Sequence, residues 1–301
     1  MIPTRKAENY RPRIERFGSR KGRFKMDTRS QNEDVVRLLW TGGWDSTFRM
    51  LDLILIKQKP VQPYYLIDAQ RRSFGTEILA MNTIKRRLDI KHPDLSHLLR
   101  PTIIRDVHDI PPNREIQESY QRICARNHIG TQYEWSARFA QAEGLSKLEL
   151  SLIGGGHTYQ LLETYLVRRD VENDIVCEID RKHHGTDIYQ VFKDYRFPLI
   201  FTTKQEMHAK AKQHGFEEFM LLTCFCHTPR SDGRPCGMCI PCGIAIECGL
   251  GWRLPRTSHV RFHLKRLYRR GRGMLEKSPR VFAVAQRLAK KAKRFKKRRT
   301  R

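Results

Sequence analysis

The chain has 301 residues and a formal net charge of +26. That length suits one large α/β domain with appendages, or two domains. From Arg253 onward, 20 Lys and Arg face one acid, Glu276, so this tail carries +19 and the 252 residues before it only +7. An ordinary core with a basic tail points to a polyanionic partner, because charge governs partners and solubility, not fold. No apolar run approaches a membrane span, and residues 1 to 25 lack the apolar segment of a signal peptide. Eight cysteines in a chain this long do not make a disulfide scaffold. Their clustering favours a metal site in a reducing cytosol, so a cytoplasmic location is expected.

Residues 1–33 are polar and basic and form a lead-in without apolar periodicity. Val35 to Trp40 predict a short buried strand. Gly42 and Gly43 then turn the chain, Asp45 and Ser46 follow, and Phe48, Met50, Leu51, Leu53, Ile54 and Leu55 fill a helix up to Pro60. A strand, a Gly-Gly turn and a helix start make an anion site: the backbone can approach closely, and free N–H groups and the helix dipole point at negative charge. The plainer reading is a strand-to-helix turn capped by Asp45. The order resembles the Ser-Gly-Gly-x-Asp-Ser PP-loop of the ATP pyrophosphatase superfamily, with Thr41 keeping the hydroxyl of the first Ser. That resemblance implies cleavage of ATP to AMP and pyrophosphate, with adenylation of a carbonyl or carboxyl oxygen. No Gly-Lys-Ser/Thr follows the glycines, so this is not a Walker A loop.

Val61 to Ile67 predict a second strand, and Asp68 to Ser73 leave its carboxyl end, where open α/β sheets bind ligands. Glu77 to Leu88 predict a helix with Ile78, Leu79, Met81, Ile84 and Leu88 on one face. Thr102 to Ile104 suit a third strand, and Pro111-Pro112 a loop. Thr131-x-x-Glu134 forms a capping-box pattern before a helix that stops at Gly144, with Trp135, Phe139 and Ala142 facing inward. Leu148 to Ile153 predict a strand ending at Gly154-Gly155-Gly156. Thr203-x-x-Glu206 is a second capping box, stopped by Gly215, and Phe219 to Leu222 predict a last short strand. Strands alternating with helices over residues 34–223 predict a doubly wound parallel sheet.

Residues 224–252 hold six cysteines. Cys236-x-x-Cys239-x-x-Cys242 supplies three thiolates at knuckle spacing, and either Cys224 or Cys226 completes a tetrahedral zinc (Zn2+) set. An iron–sulfur cluster would use the same ligands. A closed four-sulfur zinc site would be structural, having no open position for chemistry.

From about Val35 to Cys242 the chain resembles the 7-cyano-7-deazaguanine synthases of queuosine biosynthesis, which convert a 7-carboxy-deazaguanine to the nitrile with ATP and ammonia. Beyond the PP-loop and the cysteines, the resemblance rests on Gln70-Arg71-Arg72 with Glu77, on Cys124-Ala125-Arg126-Asn127, on Phe197-Pro198-Leu199 with Lys204, and on Thr223-Cys224-Phe225-Cys226. It implies that Thr41, Gly42, Gly43, Asp45, Ser46 and Thr47 hold the phosphates. Leu66 and Ile67 would receive the adenine through backbone groups, and Gln70 and Arg71 would lie near substrate or ribose. It places Arg126 and Lys204, with Asp45 and Ser46, in the chemistry, because a loop without a Walker lysine needs cations from elsewhere. Magnesium (Mg2+) would accompany ATP. It selects Cys226 with Cys236, Cys239 and Cys242 as the metal set. The chain departs from the family after Leu148 to Ile153. There the family has an acidic, Tyr-rich substrate loop, and this chain has Gly154-Gly155-Gly156-His157 and an unmatched stretch to His184. His157 is a candidate base, although packing or capping is the commoner role of such a histidine.

The tail, residues 253–301, carries Val260, Leu264, Leu267 and Tyr268 at helical spacing. A second helix is expected from Ser278-Pro279, with Val281, Val284, Ala285, Leu288, Ala292 and Phe295 on one face and Lys and Arg on the other. Such a helix suits an anionic membrane surface, which would make the protein membrane-peripheral, or RNA, or docking on the core. The leading expectation is an ATP-dependent ligase acting on a small-molecule carboxylate and ammonia. Competing with it are an amidotransferase for a sugar or lipid-linked acid at a membrane, a tRNA-modifying PP-loop enzyme, and a non-catalytic nucleic-acid binder with a zinc knuckle. Oligomeric state is not legible, and a homodimer is one option.

Overall fold

The computed structural model describes residues 35–171 and 174–276, with the backbone alone for residues 269–276. The lead-in and the helix expected from Ser278 lie outside the described residues. Strand β1 (Val36–Leu39) enters helix α1 (Trp44–Leu51), which ends in a π turn over Asp52–Ile56. Then come β2 (Val61–Ile67), α2 (Phe74–Lys91), β3 (Ile103–Asp106), α3 (Arg114–Cys124), α4 (Gln132–Ala142) and β4 (Leu148–Glu149). A second half holds α5 (His157–Leu162), β5 (Leu166–Val171), β6 (Asp174–Ile179), α6 (Asp187–Phe192) and β7 (Tyr195–Arg196). Four helices follow: α7 (Lys204–Gln213), α8 (Glu217–Leu221), α9 (Ile240–Glu247) and α10 (Arg256–Glu276).

The central sheet has the order β3-β2-β1-β4-β7, and every pairing in it is parallel. The chain winds outward from β1 to β3 and then returns to the other side of β1 at β4. The crevice between β1 and β4 is therefore the topological switch point, where sheets of this kind receive ligands. Strand alternation sends successive side chains to opposite faces. Leu38, Trp40 and Tyr65 join the core under α1, α2, α7 and α8, whereas Tyr64, Leu66 and Leu148 join the core under α3, α4 and α6. Cys226, Cys236 and Cys242 belong to the first core, so the cysteine segment is packed into the sheet domain.

The interior also holds charge. Arg49 of α1 is buried and makes two hydrogen bonds, of 2.7 and 2.6 Å, to Glu149 of β4. It also meets Asp174 of β6 at 2.6 Å, and Lys57 bridges Asp174 at 2.7 Å and Asp52 at 3.1 Å. Such a network costs desolvation and gains orientation. It pins α1 against the strand on the far side of the crevice.

Several expectations are corrected. Phe219 to Leu221 lie in helix α8, with Leu222 as its cap, and form no strand; a short apolar run does not separate the two by pattern, and the acidic pair Glu217-Glu218 in the first turn suits a helix start. Thr131 caps nothing: its backbone is already helical, and Glu134 is taken by Arg138 at 2.6 Å. Ala142 is exposed, and the buried face is formed by Tyr133, Ser136, Ala137, Phe139 and Ala140. Leu79 is 67% exposed, with Glu77 and Ala80 buried in its stead. The strand expected over Leu148 to Ile153 pairs only at Leu148–Glu149. Helix α3 was not expected, although Asn113 caps it by accepting from the Ile116 N–H at 2.9 Å. The antiparallel β5–β6 hairpin within the unmatched stretch was not expected either. The capping box of Thr203 and Glu206 is formed as expected, and Gly144 and Gly215 both take positive φ just past their helices.

Candidate functional site

A cavity of about 510 Å³ opens outside the carboxyl ends of β1, β2 and β4. That volume is within the range of small-molecule sites, roughly 300–1,000 Å³. Thr41, Gly43, Trp44, Asp45 and Ser46 line one wall, Tyr64 and Leu66 another, and Leu150 to Ile153 a third. Gly42 holds φ at +67°, and a side chain there would meet the Glu77 carbonyl at 3.0 Å. The turn thus needs glycine for its φ and for its contact with α2. Gly43 starts α1 with no side chain capping the helix, so the first-turn N–H groups are available to an anion. Asp45 does not cap. Its Oδ1 instead accepts from Lys204 Nζ at 2.6 Å, and Lys204 also lines the cavity.

The remaining expected residues separate. Ser46 is buried at the wall, its Oγ accepting from the Thr41 N–H at 3.4 Å. Thr47 is fully buried behind the wall: its hydroxyl accepts from the Trp40 indole at 3.0 Å and its N–H goes to the Gly43 carbonyl. Ile67 is half-buried and, unlike Leu66, does not line the cavity. Gln70 is exposed outside the lining, while its neighbour Arg71 is inside it. Arg126 is exposed just past α3 and the cavity does not include it; the same holds for His157 at the start of α5.

Four lining residues have no cavity role in the sequence reading: Glu77, named there only within the resemblance, Cys224, named there only as an alternative metal ligand, and Trp44 and Arg253. Glu77 is buried and accepts from Tyr65 at 2.7 Å and from Arg71 at 3.3 Å. Trp44 is buried, and its indole N–H has no partner among the described residues. The Cys224 N–H donates to the Gly42 carbonyl at 2.9 Å, and burial, with the Glu77 charge, pushes the Cys224 thiol up to about 12. Arg253 closes the cavity beside Trp44 and Phe225.

The Sγ atoms of Cys226, Cys236, Cys239 and Cys242 all lie within 4.8 Å of one another. Sulfurs ~2.3 Å from a tetrahedral zinc stand ~3.8 Å apart. The separations Cys226–Cys239 of 3.8 Å, Cys236–Cys242 of 4.0 Å and Cys239–Cys242 of 3.4 Å match that size. Cys224 is not in the set. Cys236 Sγ accepts from the N–H groups of Met238 and Cys239 and from Thr228 Oγ1, each at 3.3 Å. Burial pushes the Cys236 thiol up, but these donors outweigh it and leave the thiol below its ordinary value. Donors aimed at sulfur are the support a metal-bound thiolate needs. The residues fit a structural metal such as zinc.

Neither protein-family models nor curated protein sequences contain a match to this chain.

Proposed function

We propose that the chain is an ATP-dependent ligase that adenylates a carboxylate and transfers ammonia nitrogen to it, in the manner of the 7-cyano-7-deazaguanine synthases. The observation that carries the reading is the 2.6 Å contact of Lys204 with Asp45. It brings a cation to an uncapped Gly-Gly helix start at the switch point of a parallel sheet. The N–H groups after Gly43 hold phosphate oxygens, and Lys204 supplies the charge that a Walker lysine supplies elsewhere. A carboxylate oxygen of the substrate attacks the α-phosphorus of ATP, the bond to the β-phosphate oxygen breaks, and pyrophosphate leaves. Ammonia then attacks the acyl carbon, AMP leaves, and loss of a proton gives the amide. Conversion to a nitrile removes the second oxygen and needs a second adenylation. Magnesium bound with ATP neutralises phosphate oxygens. Zinc at the four cysteines is structural and takes no part.

The test is mass-spectrometric turnover with ATP, magnesium, ammonium and 7-carboxy-7-deazaguanine, with Asp45→Ala as control. Nitrile and AMP, lost in the variant, support the reading. ATP binding that depends on Asp45 without product keeps the adenylation and rejects this acid. ATP binding indifferent to Asp45 rejects both.

One observation favours a second reading, an amidotransferase for a lipid-linked acid at a membrane surface. No helix among the described residues is long and apolar enough to cross a membrane. Helix α10, however, turns Ser258 and Phe262 inward and leaves Val260, Leu264 and Leu267 57–64% exposed in a row, with Arg256 and Arg261 alongside. An apolar stripe edged by arginines suits the boundary of an anionic bilayer. A nucleic-acid backbone would use the arginines and leave the leucines in water. Flotation with anionic and neutral vesicles, comparing the chain with its Leu264→Glu/Leu267→Glu variant, decides this. Binding to anionic vesicles that the variant loses supports the membrane, and binding indifferent to the leucines removes it.

A further inference from the structure

Arg253 ends the short turn Gly251–Arg253 and places its guanidinium by two rings, 4.8 Å from the Trp44 centroid and 4.9 Å from that of Phe225. Its Nη2 donates to the Thr223 carbonyl at 2.7 Å and to Thr223 Oγ1 at 2.9 Å. Both acceptors are neutral. Among the described residues no carboxylate pairs with it: Glu77, the acid nearest in role, is held by Tyr65 and Arg71, and Asp45 by Lys204. Burial pulls the Arg253 pKa down to about 10, against a smaller opposing effect of the Cys224 thiol. The other cations at this cavity are paired, Lys204 with Asp45 and Arg71 with Glu77.

A half-buried guanidinium without an acid is costly unless something else completes it. The aromatic faces return part of that cost and fix the plane of the fork. The two bonds to Thr223 leave from one nitrogen, and a guanidinium has five donors in fixed directions. A planar fork held rigid at the wall of a ligand-sized cavity matches the oxygens of a phosphate or carboxylate in paired geometry.

We infer that Arg253, beside Trp44 and Phe225, builds a second oxyanion subsite in the cavity, apart from the Gly42-Gly43 turn. The shared chemistry is anionic oxygen, from the terminal phosphates of ATP or from the carboxylate of the acid. The inference deepens the ligase reading and rests on it for which ligand brings those oxygens. With the terminal phosphates as its ligand, Arg253 would take the role that the resemblance gives to Arg126.

The test is calorimetric titration of the full chain, its metal retained, with ATP, AMP, inorganic pyrophosphate and 7-carboxy-7-deazaguanine. Arg253→Gln, Arg253→Lys and Asp45→Ala are compared with the parent. Arg253→Gln is expected to weaken one class of ligand by about tenfold or more, as removal of a desolvated charge partner does. ATP and pyrophosphate weakened with AMP unchanged assigns the subsite to the terminal phosphates; the acid alone weakened assigns it to the carboxylate. Unchanged binding of all four probes overturns the inference. Should Arg253→Gln not fold, Arg253→Lys decides: a lysine keeps charge without the fork, so affinity equal to the parent overturns the inference. Asp45→Ala separates the two readings. If it leaves ATP binding intact while Arg253→Gln weakens it, the PP-loop reading fails and the subsite stands. If it weakens ATP binding while Arg253→Gln changes nothing, the reverse holds.

Discussion

Lys204 Nζ donates to Asp45 Oδ1 at 2.6 Å across 159 residues of chain. Asp45 lies in the first turn of α1, where the helix dipole favours an acid, and Lys204 is the first residue of α7, where it disfavours a cation. The lysine is thus held against its own helix by the aspartate. The two side chains are 12% and 26% exposed, so the pair is screened less than a surface ion pair, and removing the lysine leaves a largely buried carboxylate without its cation. On the ligase reading, Lys204→Ala is expected to lower the urea midpoint and, in the variant that still folds, to reduce AMP formation by ~100-fold or more, the loss typical of a group that stabilises developing charge. A stability loss that accounts for the whole activity loss would make the lysine merely structural.

Cys224 and Cys226 are two residues apart and face different sites. Cys226 joins the four-sulfur set, and Cys224 lines the cavity against the Gly42 carbonyl. Cys226→Ser is expected to lose the bound metal and to lower stability, since a structural zinc contributes folding free energy directly. Cys224→Ser keeps the metal. Elemental analysis of the two purified variants checks this, and equal metal content in both would refute the assignment.

What was legible in the chain was what is local. Gly42-Gly43-x-Asp45-Ser46 announces a turn because glycine and a helix start act within six residues. Cys236-x-x-Cys239-x-x-Cys242 announces a sulfur cluster of metal-binding size because the ligand spacing is itself the geometry. The parallel sheet followed from alternation. Arg253 was counted with the basic tail, because nothing near it in sequence reveals Trp44 and Phe225 beside it. Glu77 was seen as a helix residue, and its burial depends on Tyr65 on a neighbouring strand. Phe219 to Leu222 misled because four apolar residues suit either period. Asn113, the cap of α3, is a local signal, its side chain accepting from the Ile116 N–H three residues on.

The Arg49 network predicts a pH dependence. Burial alone would push the Asp174 carboxyl up, but Arg49 and Lys57 outweigh it and hold it below its ordinary value. A depressed folded pKa gives stability that is fully present above the unfolded value, about 3.9, and lost as pH falls through the folded one. Stability is therefore expected to fall on acidification below about pH 4, and Asp174→Asn to flatten that fall in urea titrations at pH 5, 4 and 3. An unchanged slope in the variant would remove Asp174 as the cause. Breaking the better-buried half, by Glu149→Gln, leaves Arg49 short of a counter-charge and is expected to cost ~3–5 kcal/mol at neutral pH.

Gly237 joins the cysteine knuckle to helix α10. Its φ is +75°, and a side chain there would collide with the Ser258 carbonyl. Ser258 is fully buried and donates its hydroxyl to the Pro235 carbonyl at 2.7 Å, so the first turn of α10 is seated on the loop that carries Cys236 and Cys239. Gly237→Ala meets both penalties, the left-handed backbone alone costing ~1–2 kcal/mol. The collision forces either the loop or the helix to move. The expected outcome is a lower unfolding midpoint with weakened metal retention in a chelator competition, and faster amide exchange over Arg256 to Phe262. Cys224→Ser, which touches neither element, serves as the reference. Metal retention equal to that reference would show that the knuckle holds its sulfurs without the helix.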